Sequence, residues 1–261
     1  DVPDFDEDRE QLAYAAKSRG VEHLILIGFL ESRFHDLLKT HYFLNGLELS
    51  PQSHFAPGLH PFYIEDHQAQ HLDSLAQLLK IENCVAIGEI GLDTFLKQHK
   101  VPEIYQKQKD FFTAQIDLAQ QFDKPILLHI RKSHADVLAI LKHQHFKNGG
   151  IAHAFSGGVE EAKAFVKLGF KIGVTGQITN PNAKKIHQVV HAIGMENLVL
   201  ETDCPDMTPL CCQASDGTKT RNTPVNLPYV LDGLAQTLNV DKEKLAEQLW
   251  QNSFQALNLT V

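Results

Sequence analysis

Short apolar runs alternate with longer amphipathic stretches along the whole chain. The runs occupy residues 23–28, 54–58, 84–89, 126–129, 151–155, 171–175 and 198–203. Each is apolar on both faces, as expected of a strand that is covered by helices on one side and by neighbouring strands on the other. Between them lie patterns with helical spacing, for example at 7–19, 105–122 and 159–168. This alternation predicts βαβ units and a parallel sheet.

The predicted fold is α/β, a TIM (β/α)8-type barrel forming one domain over residues 1–261. Such barrels run near ~250 residues, which suits this length. The chain shows seven strand runs where a closed barrel has eight, and its helix at 7–19 precedes the first of them. That helix reads as the second half of a unit, so the barrel's first strand is expected to be missing from this chain. A doubly wound open sheet is the runner-up. It calls for a glycine-rich phosphate turn after its first strand, and Gly28-Phe29-Leu30-Glu31-Ser32 does not supply one.

Composition narrows the function. Hydrophobic residues make up 43% of the chain, enough for a sizeable core. No apolar stretch reaches the ~18 residues of a membrane span, and the acidic opening Asp1-Val2-Pro3-Asp4-Phe5-Asp6 does not read as a secretion signal. With four cysteines the chain has no disulfide framework, so a cytoplasmic location is expected, without membrane partners and as a monomer. Cys211-Cys212 reads as a loop thiol pair. The net charge of -8 argues against holding nucleic acid on a broad basic surface, though not against gripping phosphate through bound cations. Of the 15 histidines, His67, His71, His99, His143 and His145 lie among polar residues and read as solvated.

Four strand ends carry the oxygen and nitrogen ligands that divalent metals prefer: Glu89, His129, His153 and Asp203. Side chains alternate along a strand. Val85, Ile87 and Glu89 therefore share one face, as do Leu127, His129 and Arg131, then Ile151, His153 and Phe155, then Val199, Glu201 and Asp203. Each ligand closes a row whose earlier members could fill a barrel interior, at the end where barrel active sites lie. A single strand histidine is more often a hydrogen-bonded core residue, but four matched positions point to a metal centre. Glu201, one layer deeper, reads as a structural acid beneath it.

Gly88-Glu89-Ile90-Gly91-Leu92-Asp93, Leu128-His129-Ile130-Arg131, His153-Ala154-Phe155-Ser156-Gly157 and Leu200-Glu201-Thr202-Asp203-Cys204-Pro205 resemble the signature segments of the TatD family of metal-dependent deoxyribonucleases. Gly58-Leu59-His60-Pro61, Arg221-Asn222-Thr223-Pro224 and Asn252-Ser253-Phe254 match further, in order, over essentially the whole chain. The resemblance is closest to the bacterial YjjV-like branch. It implies a metallo-hydrolase barrel with one or two divalent cations (Mg, Mn or Zn) that cleaves DNA or another phosphodiester. Glu89 would bridge two metals, His129 and His153 would hold the second, and Asp203 would join the first and assist the attacking water. Glu89 and Asp203 are thus the catalytic pair. His60, Arg131, Asp93, Arg221 and Asn222 would contact substrate or support the ligands.

Two departures stand out. Thr223 occupies the place of a glutamate usual in relatives. The family's first strand ends in a His-x-His metal pair, and Asp1 aligns just after it, so the chain as given is expected to be a shortened form that binds metal more weakly. Two further functions follow: another metallo-hydrolase reaction (amide, lactone or deaminase chemistry) on the same barrel, or a weakly active or non-catalytic binding protein.

Overall fold

The protein was analysed as a computed structural model describing residues 2–260. Among the described residues seven strands form in the predicted order: β1 (His23–Ile27), β2 (Gln52–Ala56), β3 (Ile87–Asp93), β4 (Ile126–Arg131), β5 (Gly150–Ala152), β6 (Phe170–Val174) and β7 (Leu198–Leu200). Consecutive strands pair in parallel from β1 to β2 and from β3 to β7. The two groups are joined where Phe55 bridges Cys84 and where the Val85 and Gly88 amides donate to Phe55 O and Pro57 O. Among the described residues there are nine α-helices, of which α2 to α7 return the chain between strands: α1 (Arg9–Ser18), α2 (Phe34–Asn45), α3 (Gln70–Leu78), α4 (Pro102–Gln121), α5 (His134–His143), α6 (Val159–Lys167), α7 (Lys184–Ile193), α8 (Leu227–Leu238) and α9 (Lys242–Ala256). The architecture is that of a TIM-type barrel.

Two apolar layers hold it together. Ala56, Val85, Leu127, Ile151 and Val199 form a small cluster with Leu257, which follows α9 and closes the barrel floor. The larger cluster packs the opposite strand faces, including Leu128, Ala152, Ile172 and Leu198, against helix residues such as Leu75, Phe112, Phe165 and Leu249. The helices follow from local chemistry. Pro102 starts α4, where its missing N–H costs nothing, and Phe112, Ile116 and Ala119 form its buried stripe. In α9, Asp241 caps the first turn by accepting from Lys244 N, and Leu245, Leu249 and Asn252 face inward.

The strand predicted over 84–89 is displaced. Cys84 makes only an isolated bridge, and β3 runs from Ile87 to Asp93 with a register shift between Ile87 and Ile90. The extra residue breaks strict alternation. Alternation also fails upstream of it, where Val85 and Ala86 both join the inner cluster and Ile87 packs in the outer one, so the shared face expected for Val85, Ile87 and Glu89 does not exist. The strands at 151–155 and 198–203 are also shorter than expected, ending at Ala152 and Leu200. Among the described residues no strand pairs with the outer edge of β1 or of β7, and a groove of about 450 Å³ opens there, lined by His23, Ile25, Val199 and Trp250. No helix among the described residues is long and apolar enough to cross a membrane.

Asn252 ties α9 to the barrel. It is 2% exposed and its amide donates to Met195 O at 2.8 Å and to Leu198 O at 2.7 Å. Asn252→Ala should destabilise the fold by about 1–3 kcal/mol, because two buried carbonyls lose their donor. Urea unfolding checks this, and an unchanged midpoint would remove the residue from the list of structural anchors.

Candidate metal centre

Glu89 is the hub of the site, on β3 within the register shift, its backbone amide bonded to Gly28 O at 3.0 Å. Its Oε1 lies 3.8 Å from His129 Nδ1 and 3.6 Å from His153 Nε2, and its Oε2 lies 3.4 Å from His60 Nε2. Asp203 Oδ1 approaches His153 Nε2 at 3.3 Å. The four residues expected at strand ends thus meet in one place. Two of them lie beyond their strands: His153 just after β5 and Asp203 three residues after β7. Asp203 is 40% exposed, against 12% for Glu89, which puts it on the solvent rim of the cluster.

What matters chemically is which nitrogen of each ring is already spoken for. His129 Nε2 bonds Asp93 Oδ2 at 2.9 Å, and His153 Nδ1 bonds Glu201 Oε2 at 2.9 Å. Each carboxylate fixes the proton on the far nitrogen, so the neutral ring turns a lone pair toward Glu89. His60 is wired the other way. Its Nδ1 accepts from Phe62 N at 3.0 Å, so a neutral ring carries its proton on Nε2, facing Glu89. His60, Glu89 and His129 have ligand atoms close enough to share one cation. The hydrogen bonding nevertheless makes His60 a donor rather than a ligand.

The supports are themselves anchored. Asp93 is fully buried and accepts from Phe95 N at 2.7 Å, while Gln108 of α4 grips the Asp93 backbone through both N–H and C=O. Gln115, two turns further along α4, holds the Leu59 backbone in the same manner beside His60. Glu201 also accepts from Ala154 N at 2.6 Å. Its carboxylate fits only because position 173 is glycine, where an added Cβ would stand 2.1 Å from Glu201 Oε1. His99 and His67, read as solvated from their polar neighbours, are each 1% exposed. His99 Nδ1 lies 3.4 Å from Asp93 Oδ1, and His67 Nε2 meets His60 O at 2.9 Å.

Protonation follows this wiring. Burial favours the neutral form of Glu89, but His153, His129 and His60 overcome it and hold the carboxyl well below its ordinary value. Burial likewise lowers His129, yet its bonds to Asp93 and Glu89 win and lift it to about 9. His153 rises well above its usual value because Glu201 and Glu89 outweigh burial. Burial raises Asp93, but its bonds from His129 and Phe95 N bring it down to about 2. His60 moves downward, through burial and the charge of His129. A divalent cation competes with protons for the inner nitrogens, so its binding would release them.

The remaining expected residues make their contacts outside the cluster of ligand atoms. Arg131 is exposed and stacks on Phe95, 3.5 Å from the ring centroid. Arg221 pairs with Asp8, bonds Asp4 O and lies over Phe5, clamping the N-terminal segment to the loop after β7. Asn222 is fully buried and donates to Asp206 O at 2.9 Å, stapling the turn that carries Asp203. No sequence spacing distinguishes these supporting roles from ligand roles.

The residues present fit a divalent cation on structural grounds. Glu89 Oε1 is buried without a hydrogen-bond partner, between two imidazole nitrogens that offer lone pairs once a cation has displaced their protons. Carboxylate oxygen with imidazole nitrogen is a donor set that Zn²⁺ and Mn²⁺ accept.

Comparison with known proteins agrees with this chemistry. The family described as TatD related DNase matches residues 1–258. A metal-dependent hydrolase from Haemophilus influenzae is 34% identical over 94% of this chain and 90% of its own length. A 3'-5' ssDNA/RNA exonuclease TatD from a Pantoea species is 32% identical over 98% of this chain and 95% of its own. The crystal structure of the TatD homologue YjjV from Escherichia coli superposes with a TM-score of 0.87 at 31% identity, covering 100% of this chain and 95% of that one. The chain belongs to the TatD family.

Glu201→Gln tests the orienting role. The amide preserves shape but weakens the bond that fixes the His153 proton, so affinity for Mn²⁺ should fall about 10–100-fold. Titration calorimetry measures it, with circular dichroism confirming the fold. Unchanged affinity would show that Glu201 does not orient a ligand.

Proposed function

We propose that this TatD-family chain is a metal-dependent phosphodiesterase that hydrolyses single-stranded DNA or similar nucleic-acid strands. The observation that carries the reading is the unpartnered, buried Glu89 Oε1 facing His129 Nδ1 and His153 Nε2, with both rings fixed from behind by Asp93 and Glu201. Glu89, His129 and His153 would hold a divalent cation, with Asp203 at its exposed side. The exonuclease relative from Pantoea supports the choice of substrate.

A bound cation supplies Lewis acidity toward a phosphoryl oxygen, lowers the pKa of water and offsets charge at phosphorus. The protein's own groups do the rest. Asp203, carboxylate outward at the rim, takes the proton of the attacking water as the new P–O bond forms. The bond to the leaving oxygen then breaks, and the proton is passed on to that oxygen or to solvent. His60 Nε2–H, which faces Glu89 Oε2, holds that carboxylate in place. Asp93 and Glu201 back the cluster on its deep side, and the groove between β1 and β7 also reaches Glu89 and His153.

Asp203→Asn should lower kcat on an oligonucleotide by about 10²–10⁴-fold with little change in metal affinity, because the amide cannot accept the proton. Glu89→Gln should abolish hydrolysis by removing the charge at the hub. The decisive assay sets single-stranded DNA, a chromogenic phosphodiester and a lactone against Mg²⁺, Mn²⁺ and Zn²⁺. Phosphodiester hydrolysis that EDTA stops and metal restores is expected. Turnover of the lactone alone would establish a different metallo-hydrolase.

A further inference from the structure

A second polar cavity lies on the same face as the metal centre. It has a volume of about 380 Å³ and sits between the loops that follow β6 and β7. One wall is the short turn Gly176–Thr179 with Asn180. The other is the loop 206–220, which is tied to itself. Gln213 Nε2 donates to Thr208 O at 2.9 Å, and Ala214 N to Thr220 Oγ1 at 2.8 Å. Leu210 N donates to Thr179 Oγ1 at 2.8 Å, locking one wall to the other. The walls meet so closely at Gly176 that an added Cβ would stand 2.4 Å from Met207 O. The cavity is therefore built, not a gap between loose loops.

Its lining selects a neutral, hydrogen-bonding ligand. Lys219 is its single cation, and it is paired with Asp206 at 2.7 Å. The carboxamide of Gln177 has no partner among the described residues. Asn180 uses its Oδ1 to accept from Asn182 N, leaving its Nδ2 donors unused. Leu210, 45% exposed, and Met207 add apolar surface. The Gln177 carboxamide, with donor and acceptor side by side, and the Asn180 donors match the edge of a nucleobase, and the exposed apolar side chains can cover its face. The volume falls within the ~300–1,000 Å³ of small-ligand pockets. The cavity also adjoins the catalytic rim. Asp206 lines it, donates its amide to Asp203 O, and stands three residues from Asp203, hence within about 10 Å along the chain.

We propose that this cavity is a nucleobase subsite. It receives the base of the nucleotide next to the scissile phosphodiester, with Gln177 and Asn180 reading the edge and Leu210 and Met207 covering the face. The proposal rests on the nuclease reading and assigns specificity residues to it.

The test compares wild type, Gln177→Ala and Asn180→Ala on three substrates: a single-stranded oligodeoxynucleotide, its abasic counterpart and bis(p-nitrophenyl) phosphate. Wild type should show a KM about tenfold lower for the base-bearing strand than for the abasic one. The variants should raise the first KM toward the second and leave kcat/KM on the chromogenic diester unchanged. Equal KM for both strands in wild type, or variants that alter the chromogenic reaction as much as the oligonucleotide one, would overturn the subsite alone. A wild type that cleaves the chromogenic diester but neither oligonucleotide would overturn the nuclease reading itself.

Discussion

The site depends on two imidazole rings being held by carboxylates on their far sides. Asp93 grips His129 and Glu201 grips His153, and each grip decides which nitrogen faces Glu89. Without these bonds, either ring in its neutral form could keep its N–H inward, where it would donate to Glu89 and exclude a cation. Much of the surrounding structure maintains this arrangement: Gln108 on the Asp93 backbone, the glycine at 173 that admits Glu201, and the Asn222 staple under the Asp203 turn.

This wiring also accounts for an acidic protein having a site suited to an anionic substrate. The chain carries a net charge of -8, yet the carboxylates nearest the centre are not free fields pointing at the mouth. Asp93 is buried and bonded to His129, Phe95 and His99, and Glu201 is bonded to His153 and Ala154. Their charges are spent on the rings. Asp203 alone among these acids stands substantially in solvent, where it can exchange a proton.

The sequence carried the fold and the ligand set to different depths. Seven apolar runs separated by amphipathic stretches were enough to place seven parallel strands, because period and composition are local properties. Glu89, His129, His153 and Asp203 were legible because metal-binding residue types followed apolar runs. Less was legible where a decision is made in space. The register shift that separates the facing of Ile87 from that of Glu89 depends on how β3 meets β4. His67 and His99 sit among polar neighbours in sequence and are buried by tertiary packing. Arg131 and Arg221 were expected to contact substrate or support the ligands, and their contacts with Phe95 and Asp8 are tertiary facts that no local pattern announces.

Helix α4 grips the backbone at Asp93 and at Leu59 with two glutamines on one face, Gln108 and Gln115. Both grips are neutral, buried amide pairs that neither titrate nor respond to ionic strength. The spacing between the β2 loop that bears His60 and the strand that bears Asp93 is therefore set by the pitch of a helix. As cations and protons exchange at the centre, this frame keeps its dimensions, so the mouth meets every substrate with the same gauge.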